Sequence, residues 1–182
     1  MKHMGAAMAS FGSVPLFHMV GVTPEAPTLE AVTCGDALEV DTIGEKDFEE
    51  FFGRYGGKGD KLDVVVFSAP QLSLLEMQSL AELLDGNQIN KHTSLLAVTS
   101  PVVAADARRM GISERIEASG ALVLEGMCFY QSYAREMGEA NGWKRLMSNS
   151  AKLVNIIGGY GYQPTLSSME DCVASAIAGE IV

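Results

Sequence analysis

From Leu62 onward, short runs of β-branched and apolar residues alternate with stretches in which apolar residues recur every three or four positions. This is the signature of βα units stacked on a mostly parallel sheet. Leu62 to Phe67 reads as the first buried strand. Ser73-Leu74-Leu75-Glu76 is a capping box, after which Leu74, Met77, Leu80 and Leu84 share one helical face until Gly86 ends it. Ser94 to Thr99 predicts a second strand. Ser100-Pro101 sets a cap and a first-turn proline ahead of a helix from Val102 to Met110, with Gly111 at its C-terminal cap and a short helix from Ile112 to Ser119 following. Ala121 to Gly126 predicts a third strand whose end delivers Cys128 into a loop. Arg145 to Met147 predicts a short fourth strand, Asn149-Ser150 cap a helix through Ile157, and Gln163 to Leu166 predicts the last strand. A further capping box, Ser167 to Glu170, opens a final helix with Met169, Cys172, Val173, Ala176 and Ile177 on one face.

Before residue 60 the pattern is less regular. It predicts a helix near Thr28 to Val32, a strand near Leu38 to Ile43, and a helix whose Phe48, Phe51, Phe52 and Tyr55 form one stripe. The glycine-rich stretch Arg54 to Asp60 is the most linker-like; it precedes a strand and lacks P-loop spacing, so it reads as a flexible turn. Taken together the chain reads as one α/β domain over residues 1–182.

Composition narrows the function classes. Of 182 residues, 23 are acidic and 13 basic, a formal charge of −10, which argues against nucleic acid and anionic membranes, since both are bound through Lys/Arg stripes. Three widely spaced cysteines, Cys34, Cys128 and Cys172, contain no C-x-x-C pair and do not form a disulfide framework. The apolar run Val14 to Val22 is too short to span a bilayer, and the first dozen residues lack a leucine-rich signal region. The expected compartment is the cytoplasm.

In an open parallel sheet, ligands bind beyond the carboxyl ends of the strands, where three segments should converge: Ser68-Ala69-Pro70-Gln71, the loop with Cys128, and Ser148-Asn149-Ser150-Ala151-Lys152. The last offers small polar side chains and an ammonium at a helix start, which suits a carboxylate or phosphate clamp, and equally suits a plain N-cap followed by a solvated lysine. Cys128 reads as an iron-ligating thiolate, a nucleophile or a small packed hydrophobe. Cys172, on an apolar helix face, reads as core. His18, inside its apolar run, reads as a satisfied buried histidine or a site residue. His3, His18 and His92 show no metal-ligand spacing.

The stretch Phe17-His18-Met19-Val20-Gly21-Val22-Thr23-Pro24-Glu25-Ala26-Pro27-Thr28 resembles the F-H-x-V-G-V-T-P-E-A-P-T motif of the aconitase X family. Further stretches agree in order: Ser73 onward resembles the family's S-L-x-E helix, Ile116 to Gly120 leads to a strand and Cys128, Asn149-Ser150-Ala151-Lys152 resembles its N-S-x-K signature, and Leu166 to Val173 resembles its F-G-S-x-E-E-C-V ending. The resemblance implies a three-layer αβα, aconitase-like domain. It implies a hydro-lyase acting on a small hydroxy acid, such as cis-3-hydroxy-L-proline or mevalonate 5-phosphate, with iron or an iron–sulfur cluster. It further implies two partners, a small swivelling subunit that supplies a catalytic serine and an N-terminal half of the large component. By the same resemblance Cys128 would ligate the metal, Asn149, Ser150 and Lys152 would bind substrate oxyanions, and His18, Thr23 and Glu25 would shape the pocket.

Two departures stand against that carry-over. Where the family has Gly, then Cys, Ser or Asn, then Pro-His, this chain has Ser68-Ala69-Pro70-Gln71; Ala69 cannot ligate iron, and Gln71 neither titrates near neutrality nor replaces an imidazole. Gly126-Met127 replaces the D-T before the cysteine, removing polar support. A degenerate, catalytically inactive carboxylate-binding fragment of the same fold is therefore the competing expectation.

Overall fold

Strand β1 (Val64–Leu72) organises the molecule because it is buried on both faces, as continuous apolar strands of parallel sheets are. In the computed structural model, which describes residues 1–33, 35 and 38–182, β1 pairs in parallel with β2 (Ser94–Thr99) on one side and β4 (Arg145–Ser148) on the other. Adding β3 (Leu122–Glu125) and β5 (Gln163–Leu166) gives an all-parallel five-stranded sheet of order β3-β2-β1-β4-β5. Cys34 lies outside the described residues.

The pleat of β1 sorts the core into two layers. Val65 and Phe67 face α3 (Leu74–Leu84), α4 (Pro101–Arg109), α5 (Ile112–Ala118) and α8 (Met169–Ala178), through Met77, Leu80, Ile116 and Val173. Val64 and Val66 face the opposite layer, through Phe129, Leu153, Ile157 and Tyr162. That layer contains α6 (Ala134–Asn141) and α7 (Ala151–Ile157). The three-layer αβα architecture follows, and Cys172 is buried core as expected.

Several local expectations change. The final helix is capped by Ser168, which accepts from the Asp171 N–H, one residue later than the Ser167–Glu170 box; Ser167 instead donates to the Asp171 carboxylate. α6 carried no capping signal and has Gly138 in its middle, a helix-weakening residue. A Cβ there would lie 2.8 Å from the Tyr162 hydroxyl, so Gly138 is what lets α6 approach β5. The linker-like stretch is tied to the C-terminus: Gly59 N–H donates to the Ile181 carbonyl and Leu62 N–H to the Gly179 carbonyl.

The first 53 residues differ most. An unanticipated helix, α1 (Lys2–Gly12), packs on α7, and α2 (Glu45–Gly53) joins it where Phe51 meets Phe11 at 5.8 Å between ring centroids. The expected helix near Thr28 to Val32 is only a hydrogen-bonded turn, Val32 and Thr33 both donating to the Leu29 carbonyl. The expected strand from Leu38 to Ile43 is not formed. A strand needs a neighbour to pair with, and no described residue supplies one. No helix among the described residues is long and apolar enough to cross a membrane.

Candidate functional site at the switch in strand order

Helices after β1 and β2 pack on one face, while α6 and α7, flanking β4, pack on the other. The winding therefore reverses between β1 and β4, and the crevice at such a reversal is where open α/β sheets bind ligands. The three expected segments meet there. The Ser150 hydroxyl donates to the Ala69 carbonyl at 2.6 Å, joining the start of α7 to the end of β1. The Gln71 side-chain amide donates to the Met127 carbonyl at 2.9 Å, and the Phe129 N–H reaches the Ser68 hydroxyl at 3.4 Å, joining the Cys128 loop to the same strand.

These bonds assign roles. Ser150 is buried, caps α7 by accepting from the Leu153 N–H, and spends its proton on Ala69. Its hydroxyl braces the crevice wall. The brace holds Ala69, whose backbone is left-handed at φ 52°, a conformation that costs a residue with a Cβ about 1–2 kcal/mol. Asn149 and Lys152 are half-buried, and among the described residues neither side chain has a hydrogen-bond or ion-pair partner. Asn149 opens onto a cleft of about 460 Å³ walled by His3 and Met4 of α1, the phenylalanines of α2, and the starts of α7 and α8.

His18, Thr23 and Glu25 do not line that cleft. His18 and Glu25 are exposed, which corrects the reading of His18 as a buried histidine. Thr23 accepts from the Met19 N–H and donates to the Met19 carbonyl, closing a local turn. A cluster of Lys2, His3 and Glu76, which the sequence reading did not bring together, lies beside the end of β1. Glu76, beyond its capping bonds with Ser73, pairs with Lys2 and lies 3.3 Å from His3 Nε2. Burial pushes the Glu76 carboxyl up, but the Lys2 and Ser73 hydrogen bonds and the Lys2 charge outweigh it and hold the group at about 2. The signal was available: Lys2 to Gly12 contains no helix breaker except Gly5 and Gly12, and apolar residues recur along it.

Cys128 is half-buried and sits against Tyr130, whose hydroxyl is pushed up by burial and then by that thiol and Tyr160. It packs in the layer of α6 and α7, whereas Cys172 belongs to the opposite layer, so the sheet separates the two sulfurs. Among the described residues no three His, Cys, Asp or Glu side chains gather as a metal site, Ala69 offers no donor, and the Gln71 amide is engaged. The donors present do not by themselves fit an iron centre. A second cavity of about 240 Å³, lined by Arg135, Trp143 and Lys144, adjoins the amino ends of β4 and β5, away from the crevice.

Comparison with known proteins matches this architecture closely. The family model for the aconitase X third domain covers residues 62–178, and that for the second domain covers residues 1–53. The cis-3-hydroxy-L-proline dehydratase of Pseudomonas aeruginosa is 30% identical over 98% of this chain, which spans 31% of that protein. The phosphomevalonate dehydratase large subunit of Methanosarcina mazei is 32% identical over 99% of this chain, which spans 42% of that subunit. The crystal structure of Thermococcus kodakaraensis aconitase X in its holo-form superposes with a TM-score of 0.84 at 28% identity, over 96% of this chain and 43% of that one.

Proposed function

The chain belongs to the aconitase X family, and from that premise we propose that it contributes the carboxylate-holding wall of a hydro-lyase site that the rest of the large component and a small subunit complete. It spans less than half the length of the relatives it matches, so the reading concerns a component. Its substrate class is the small hydroxy acid, in keeping with the names of those relatives. The remaining parts are the rest of the large component and a small subunit.

The observation that carries the reading is that Asn149 and Lys152, at the start of α7 beside the strand-order reversal, have no side-chain partner among the described residues. A carboxylate there would take the Lys152 ammonium as counter-charge and an Asn149 N–H as donor. Charge neutralisation at the carboxylate favours loss of the adjacent proton, and departure of the hydroxyl as water completes dehydration. Ser150 keeps the wall in place and the Gln71–Met127 bond keeps the Cys128 loop against β1. No proton transfer falls to Ala69 or Gln71. Iron enters only where those remaining parts bring ligands beside Cys128, this chain's one thiol at the crevice among the described residues.

Ala69 and the engaged Gln71 amide favour a second reading, a carboxylate-binding domain that has lost turnover. Iron and labile sulfide are measured after anaerobic assembly with complementary chains, together with binding and dehydration of cis-3-hydroxy-L-proline and phosphomevalonate. The proposal expects at least a tenfold loss of substrate affinity in Lys152→Gln, and loss of iron in Cys128→Ser. Unchanged affinity in Lys152→Gln overturns the clamp. Retained binding without iron or turnover in the assembled wild type establishes the second reading.

A further inference from the structure

Arg54, Arg108, Arg109, Arg115 and Arg145 each pair with an Asp or Glu. Among the described residues Arg135 of α6 is the one arginine that does not. Glu139 stands one helical turn on, at the i,i+4 spacing that commonly pairs, yet the Arg135 guanidinium donates instead to the Gly159 carbonyl at 2.8 Å. That bond uses one of its five N–H groups and steadies the head beside the cavity of about 240 Å³ that Arg135 lines. Lys144 lines the same cavity and also lacks a carboxylate partner among the described residues, while Trp143 and Tyr160 supply aromatic walls. These walls are fixed. Trp143 N–H donates to the Gly138 carbonyl, the Lys144 and Arg145 N–H groups both donate to the Asp63 carboxylate at 2.9 Å, and the Tyr160 ring packs edge-on against Tyr130. Two cations against the single carboxylate of Glu139 leave the lining positive, in a chain whose formal charge is −10.

We propose that this cavity binds a small organic monoanion, a carboxylate carried on one flat ring, with the carboxylate on Arg135 and Lys144 and the ring against Trp143 and Tyr160. Three features select that chemistry. An arginine with N–H groups to spare suits the two oxygens of a carboxylate, and a neighbouring ammonium adds charge without a fixed geometry. The indole and phenol faces offer a planar apolar body something to stack on, which a bare inorganic anion does not use. Glu139 repels each further negative charge, so a monoanion is preferred to a dianion such as a phosphate monoester. The volume lies below the roughly 300–1,000 Å³ of drug-sized sites, which limits the ligand to about one ring. The cavity precedes the amino end of β4, whereas Asn149 follows its carboxyl end, so this site and the crevice lie at opposite ends of one strand.

Trp143 is the sole tryptophan of the chain, so its indole N–H gives one assignable NMR signal inside the cavity. The whole chain is titrated with benzoate, with benzamide as a neutral analogue of the same shape, and with inorganic phosphate. The expected result is a saturable shift of that signal by benzoate, with benzamide and phosphate each at least tenfold weaker. Arg135→Gln should weaken benzoate at least tenfold, Glu139→Gln should tighten it at least twofold, and Lys152→Gln, at the crevice, should bind as wild type. Urea midpoints report whether each variant is folded. Should Arg135→Gln fail to fold, the benzamide comparison and Glu139→Gln still decide. No saturable shift, equal binding of benzamide, phosphate binding as tightly as benzoate, or undiminished binding by a folded Arg135→Gln overturns the proposal. Loss of binding in Lys152→Gln moves the anion to the crevice and overturns it as well, whereas failure of the crevice clamp leaves this cavity untouched.

Discussion

Residues 62–182 and residues 1–53 are built from similar proportions of apolar side chains and use them oppositely. In the sheet region, Val64 to Phe67, Leu80, Ile116, Leu146 and Leu153 are almost wholly removed from water. Before Leu62, the buried hydrophobic residue among those described is Ala26, while Leu16, Val40, Ile43 and Phe48 are each more than half exposed. Apolar content alone therefore predicts neither burial nor fold. What separates the regions is whether a partner surface is found among the described residues, since burial stabilises by about 25 cal/mol per Å² only where a neighbour removes the water.

The sharpest way to break this contrast is Phe67→Ala. The ring is fully buried between β1 and the α3 layer, and its loss should cost about 3–5 kcal/mol in urea unfolding. A cost near zero would mean that the sheet core is not where stability resides.

A smaller effect tests the join between the regions, where Lys2 and His3 of α1 meet Glu76 of α3. Glu76→Gln should lose about 1 kcal/mol at neutral pH through the cap and the ion pair. The folded carboxyl sits near 2, below its ordinary value of 4.5, so its contribution is fully present above about pH 4.5 and fades as pH falls toward 2. Urea midpoints of wild type and variant should converge over that window. A gap that persists at pH 2 would show that charge is not what joins α1 to the sheet.

The smallest expected change is Leu16→Ser. With the side chain 71% exposed, stability should move by less than about 0.5 kcal/mol. A loss comparable to Phe67→Ala would show that the N-terminal segment packs in solution and would dissolve the contrast.

The same division governs what the sequence made legible. β1, β2 and the capping box Ser73–Glu76 were readable because their signals are local and their burial is supplied by adjacent βα units. The convergence of the Cys128 loop with Asn149–Lys152 was readable too, because strand ends in a parallel sheet point one way. α6 was hidden because Gly138 obeys a packing demand from Tyr162, 24 residues later in the chain, over its own helix propensity. Ser150 as a brace, Gln71 as a tether and the Glu76 cluster were hidden for a related reason: each is defined by a bond to a distant segment. Leu38–Ile43 shows the opposite error, a local pattern for which no described residue supplies a partner.

The bond from the Ser148 hydroxyl to the Val66 carbonyl closes a separation of 82 residues, and the β1–β4 pairing lies at the same span. Bringing such distant segments together carries an entropic cost that neighbouring β1–β2 units do not meet to the same degree. A nascent chain emerging from the ribosome can pair β1 with β2 well before β4 exists, leaving β1 with an open edge toward the absent strand. The crevice thus cannot form until β4 has been made, and a chain interrupted before Ser148 would carry most of its helices and no place for a ligand.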